Sequence, residues 1–211
     1  MNKSLLALLA LMPLAWLVFA ALFDPGLLGT NPAEMITRNT GDWALRLLLL
    51  ALAITPLRRL SGWHVLIDYR RLIGLLGFFY ALVHLASYIS FDHVFDALAI
   101  LKDVFKRPFI TLGMLSLLLM LPLALTSTNA WVRRLGARRW LRLHRLVYAA
   151  GIVAVLHFWW MVKRDISEPL LYAVVLALLL GWRLRERRRR LTLAAGNARA
   201  HTDWAGTRAR R

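Results

Sequence analysis

The sequence predicts an all-α polytopic membrane protein, a six-helix transmembrane bundle with both termini in the cytoplasm. Three observations carry this reading. The chain is 59% hydrophobic over 211 residues, and its apolar residues come in long blocks instead of alternating with polar ones. Six such blocks can be marked: Leu5–Phe23, Trp43–Pro56, Leu72–Ser90, Phe109–Leu125, Leu143–Val162 and Pro169–Trp182. Lysine and arginine, which give a formal net charge of +17, fall almost entirely between or after these blocks. There they set topology and attract anionic lipid. No segment outside the blocks is long enough to fold into a nucleic-acid-binding domain, so no nucleic-acid partner is expected.

The first block follows Lys3 and reads as an uncleaved helix, with a cleaved signal peptide as the alternative. Asp24-Pro25-Gly26 and Gly29-Thr30-Asn31-Pro32 are turn signals, and Thr40-Gly41-Asp42 stands before the second block. Asp42 and Arg46 have the i,i+4 spacing of a helix-surface ion pair. The second and sixth blocks are short for a span of roughly 20 residues, but flanking arginines can snorkel. Pro56 and Pro122 are expected to end or kink their helices. The tryptophans fall near block ends, as interface belts do. A haem-packing role is the alternative for Trp159 or Trp160. The stretch 186–211 is basic and shows no period, and reads as a disordered cytoplasmic tail near lipid headgroups.

Orientation follows from the basic residues. Arg58, Arg59, Arg70 and Arg71 follow the second block, Arg133, Arg134, Arg138, Arg139 and Arg142 follow the fourth, and the sequence from Arg183 is rich in arginine. The opposite loops are poorer in basic residues and carry Asp24, Glu34, Asp42, Asp92, Asp96, Asp103, Asp165 and Glu168. The positive-inside rule then places both termini in the cytoplasm. The third and fifth blocks both run outward, with His84 and His157 in the outer half and His144 near the inner face.

Histidines decide the chemistry. His64, His93 and His201 fall in loops or the tail and read as solvated surface. An ionisable group inside an apolar span is costly and marks a functional site by default. His84 and His157 lie in two such spans at similar depth. Two facing imidazoles supply both axial bonds of a b-type haem. Helix packing through single hydrogen bonds is the plainer alternative. Zinc would want about four ligands, commonly with cysteine or carboxylate. The chain has no cysteine, which excludes disulfides, thiolate iron–sulfur clusters and covalent haem attachment. No glycine-rich nucleotide motif is present either, so electrons must come from another molecule.

His144 lies 13 residues before His157, roughly 20 Å along an ideal helix. That distance suits two stacked haems, but 13 residues leave the two side chains on different helix faces. The matching ligand position on the third block is Arg70, which is not a normal haem ligand. Arg70 and Arg71 are candidates to neutralise haem propionates or a phosphate-bearing cofactor. His144 is a possible second iron ligand, a residue of electron entry, or a histidine that packs the start of its helix.

ITPLRR (54–59), RRLIGLLGFFYALVHLASY (70–88), RPFITLGM (107–114), ALTST (124–128), LHRLVY (143–148) and LHFWWMVK (156–163) together resemble the MsrQ (formerly YedZ) family. These are haem-binding membrane subunits of bacterial periplasmic methionine-sulfoxide reductase systems, in the ferric-reductase-like transmembrane superfamily. The resemblance covers residues 1–185 and implies one bis-histidine haem b, on His84 and His157. It also implies FMN, an inner-membrane location, and electrons drawn from the quinone pool or a cytosolic flavin reductase. The implied recipient is a periplasmic molybdenum-containing methionine-sulfoxide reductase subunit, paired with this chain as a heterodimer. A stand-alone transmembrane ferric or oxygen reductase is the alternative within the superfamily.

Overall fold

The computed structural model describes residues 2–162 and 165–208, with side chains through residue 193. Among the described residues all regular structure is helical. The order is α1 (Lys3–Phe23), a short 3-10 turn (Pro25–Leu28), α2 (Pro32–Ser61), α3 (Leu66–Asp92), α4 (Ala97–Lys106), α5 (Pro108–Leu125), α6 (Asn129–Leu143), α7 (Leu146–Met161) and α8 (Ser167–Arg208). Helices α1, α2, α3, α5 and α8 are long and apolar enough to cross a membrane. Helices α6 and α7 meet at a bend of 42° and are long and apolar enough only as a pair, either as a broken span or as a re-entrant loop. The chain is a multi-pass membrane protein.

Five of the six apolar blocks each lie within one helix. The fifth block, Leu143–Val162, begins at the end of α6 and runs past both ends of α7, and the element boundaries differ from expectation. Helix α2 has 30 residues, about twice its apolar block. Asn31 starts it by accepting from the Glu34 N–H at 3.2 Å. Thr40-Gly41-Asp42, read as lying before the helix, is inside it. The reason is local: Thr40 is fully buried and its hydroxyl donates to the carbonyls of Ile36 and Thr37 at 2.8 and 3.0 Å, so it needs no water.

Pro56 does not end α2 either, which continues to Ser61 and stops at Gly62 in the left-handed conformation (φ 74°). A proline within a helix leaves the carbonyl four residues earlier without its donor. Here that carbonyl is Leu52, and the Arg183 Nη2 of α8 donates to it at 2.6 Å. Pro122 is likewise inside α5, which ends three residues later.

Two helices stand where loops were expected. Asp96 caps α4 by accepting from Leu98 and Ala99 at 2.9 and 3.0 Å, and Pro108 follows its end. Thr128 caps α6, which is kinked at Gly136 (φ 71°) and buries none of its residues. The basic stretch after 185 continues α8 as helix to Arg208.

Helix α2 is the axis of the bundle. It packs along α3 through Leu47, Ala51 and Ile54 against Ile73, Leu76 and Tyr80. Its other side packs Leu45, Leu49 and Leu52 against Val155 of α7 and Leu176 of α8. Half of its span is buried, against 11% for α1, α5 and α8, whose leucine-rich outer faces suit lipid tails. Helix α5 lies along α7. The two pairs, α2 with α3 and α5 with α7, enclose the site.

Candidate functional site

Helix α3 carries His84 and helix α7 carries His157. Their rings face each other with centroids 6.2 Å apart and planes at 71°. The Nδ1 of His84 lies 2.8 Å from the backbone carbonyl of Thr37 on α2. The Nδ1 of His157 lies 2.6 Å from the carbonyl of Phe109 on α5. A carbonyl only accepts, so each Nδ1 carries the proton and donates. Each Nε2 therefore keeps its lone pair free, the form in which imidazole ligates a metal.

The same device seats both rings. Four residues after Thr37 comes Gly41, and four after Phe109 comes Gly113. A Cβ at either glycine would stand only 3.0 Å from the Nδ1 of the facing histidine. The absence of a side chain lets each imidazole lie flat on a neighbouring helix and reach the carbonyl one turn back. The cavity between the rings is lined by apolar groups including Leu45, Leu48, Leu117 and Ala154. Arg38 and Arg107 are more than half exposed and stand at its mouth.

These distances suit one particular occupant. Two metal–imidazole bonds of roughly 2.0–2.1 Å, each extended by about 1.1 Å from nitrogen to ring centre, add up to about 6.3 Å. The observed 6.2 Å matches the spacing that two imidazoles holding one metal atom would need. Among the described residues no group of three or more His, Asp or Glu is placed to hold a metal, so the donor set is two histidines and an apolar slot. That is the donor set of a bis-histidine haem.

The ferric reductase like transmembrane component family matches residues 40–163, a range that holds both histidines and both glycine seats. The protein-methionine-sulfoxide reductase heme-binding subunit MsrQ of Herminiimonas arsenicoxydans is 52% identical over 180 residues, covering 84% of this chain and 82% of the relative. The proteins of that name from Xanthomonas axonopodis pv. citri (strain 306) and Azospira oryzae (strain ATCC BAA-33 / DSM 13638 / PS) are 52% and 50% identical. They cover 86% and 88% of this chain, and 85% and 79% of their own lengths. The chain belongs to the MsrQ family. No solved structure matches it significantly.

In this MsrQ family member the remaining expected site residues meet in a second cavity. Arg70 and Arg71 of α3 and His144, at the α6–α7 junction, line it together with Trp140, and no carboxylate does. His144 stacks on Trp140 with centroids 3.8 Å apart, and its Nε2 lies 3.1 Å from the Thr126 hydroxyl. Trp140 donates to the Thr126 carbonyl at 2.9 Å, and Arg71 donates to Asn129 at 2.8 Å. His144 is thus grouped with the arginines and apart from His84 and His157.

Other residues depart from their sequence reading. His93 is not solvated surface: its side chain is 14% exposed, with Nε2 2.8 Å from the Tyr88 hydroxyl and 3.2 Å from Asp103. Helix α4, which was not foreseen, supplies Asp103 and covers it. His64 is exposed, and the side chain of His201 lies outside the described residues. Trp159 and Trp160 are 39% and 61% exposed and do not line the histidine cavity. Asp42 and Arg46 do form the expected i,i+4 ion pair, at 4.0 Å, and the Arg46 Nε also donates to Tyr172 at 2.8 Å.

Sequence reasoning overlooked Gly41, Gly113 and the Thr37 and Phe109 carbonyls. The available signal was the glycines themselves. A glycine inside a helix costs up to about 1 kcal/mol relative to alanine and calls for a packing reason.

Proposed function

We propose that this chain is the haem-b electron-transfer subunit of a methionine-sulfoxide reductase system in the bacterial inner membrane. Its relatives are named as the heme-binding subunit of protein-methionine-sulfoxide reductase. The observation that carries the reading is the pair of seated imidazoles, with free Nε2 atoms and centroids 6.2 Å apart. Haem, when bound, supplies a one-electron couple that connects a donor on the cytoplasmic side with a periplasmic acceptor. His84 and His157 would hold the iron, and the carbonyls of Thr37 and Phe109 fix the tautomer and orientation of their rings.

Both termini lie in the cytoplasm in this reading, because Arg58, Arg59, Arg70, Arg71 and the arginines of α6 and α8 share one side. The cavity of Arg70, Arg71 and His144 then opens toward that side. It offers cations without a counter-carboxylate to an anionic or hydrogen-bonding donor, such as the phosphate of FMN in a flavin reductase or a quinol head. The recipient is a periplasmic molybdenum-containing reductase subunit bound as a heterodimer, and the repair of methionine sulfoxide takes place there. A stand-alone ferric or oxygen reductase is disfavoured where oxygen must reach the iron, since His84 and His157 together would leave it no open ligand position.

The test is the reduced-minus-oxidised absorption spectrum of the purified chain. Wild type should show a low-spin b-haem, and His84→Ala and His157→Ala should each lose it while still inserting in the membrane. Full haem content in either variant would overturn the pairing.

A further inference from the structure

The mouth of the histidine cavity repeats a pattern that the axial ligands do not use. On α2, Arg38 directly follows Thr37, whose carbonyl holds His84. At the start of α5, Arg107 stands two residues before Phe109, whose carbonyl holds His157. Each helix therefore supplies a carbonyl seat, a glycine and an arginine, and the two sets frame the slot from opposite sides. Arg38 and Arg107 are also the two basic residues that line this cavity.

Each arginine has one carboxylate partner. The Arg38 Nη2 is held by Glu34 at 2.7 Å, and the Arg107 Nε by Asp103 at 2.8 Å. Asp103 is itself fixed, with its other oxygen accepting from the Tyr88 hydroxyl at 2.9 Å beside His93. Only one edge of each guanidinium is used in these pairs. The five donors of a guanidinium allow the rest of each fork to bind a second carboxylate. Asp42 and Asp92 also line the mouth and oppose an incoming anion, so a carboxylate is held there only if it reaches the arginines.

We infer that Arg38 and Arg107 are the anchors of the two haem propionates at the His84–His157 site, one arginine to each. The inference rests on the haem reading above. Haem b is an apolar disc with two carboxylates on one edge, and this cavity is an apolar slot with two pre-oriented guanidinium groups at its opening. The network of Asp103, Tyr88 and His93 serves to aim Arg107, which accounts for a half-buried histidine outside both cavities.

The test compares haem b with its dimethyl ester, which keeps the iron and macrocycle but removes both negative charges. Full-length apoprotein from haem-depleted cells is purified in detergent and titrated with each, following the low-spin spectrum. Arg38→Gln and Arg107→Gln should each weaken haem b by about tenfold, the loss of one charge-assisted hydrogen-bonded contact. They should leave the dimethyl ester unchanged, and Arg→Lys at either position should restore part of the difference. Equal weakening of both ligands, or no weakening of haem b, would overturn the assignment. If wild type binds neither ligand, the haem reading falls first and this inference with it. If wild type binds both with equal strength, the haem reading stands and the propionate anchors do not exist.

Discussion

Replacing Gly113 by alanine should improve the helix and damage the site, and the opposite signs make the result diagnostic. The added Cβ would lie 3.0 Å from both Nδ1 and Cε1 of His157. Ordinary contact needs several tenths of an ångström more, so the ring must move away from α5. Its hydrogen bond to Phe109 is already short at 2.6 Å and is lost or bent as the ring departs. A metal–nitrogen bond tolerates a displacement of only about 0.2 Å, and removing an outer hydrogen bond to a metal-bound histidine typically costs 10- to 100-fold in affinity. Alanine within a helix is meanwhile better than glycine by up to about 1 kcal/mol. Gly113→Ala should therefore hold haem about 10- to 100-fold more weakly, in a titration of apoprotein, while thermal unfolding of the apoprotein moves little or upward. Gly41→Ala should behave alike through His84. Gly181→Ala, where an added Cβ meets nothing within 4 Å, is the control. Unchanged haem affinity in both seat variants would refute the packing argument.

Three further outcomes are expected. Arg183→Met removes the donor to the Leu52 carbonyl and should cost about 1–3 kcal/mol of stability. Most of this should return in the double variant with Pro56→Ala, whose N–H can serve that carbonyl, and strictly additive melting shifts would sink the account. Reporter fusions after Arg59, Arg139 and Arg190 should read cytoplasm and fusions near Thr30, Asp96 and Asp165 periplasm, with inversion at two or more sites counting against the orientation. His144→Ala should slow reduction by quinol or by a flavin reductase more than it lowers haem content. Loss of about half the haem would instead make His144 the ligand of a second site.

Much of the architecture was legible because a bilayer imposes a simple length and polarity requirement on each span. The apolar blocks therefore fall on the five long apolar helices and on α7. They also made His84 and His157 conspicuous, since an imidazole in such a run needs a reason. Helix ends were less legible. Thr40-Gly41-Asp42 and Pro56 carry local breaker signals that buried hydrogen bonds from Thr40 and Arg183 override. Helix α4 escaped notice because it is a short amphipathic segment between two spans, and with it went the burial of His93.

Composition and order alone, then, determined the class and the apolar segments, and singled out His84 and His157. The tertiary structure decided which groups touch: Thr37 with His84, Phe109 with His157, Arg183 with Leu52, and Arg70 with His144 around one cavity. The physical reason is the solvent. A water-exposed helix shows in its hydrophobic period which face turns inward. A helix apolar on all sides has no such period, so its rotation about its own axis is set by steric fit with neighbours distant in sequence, and at this site that fit is made by two missing side chains, at Gly41 and Gly113.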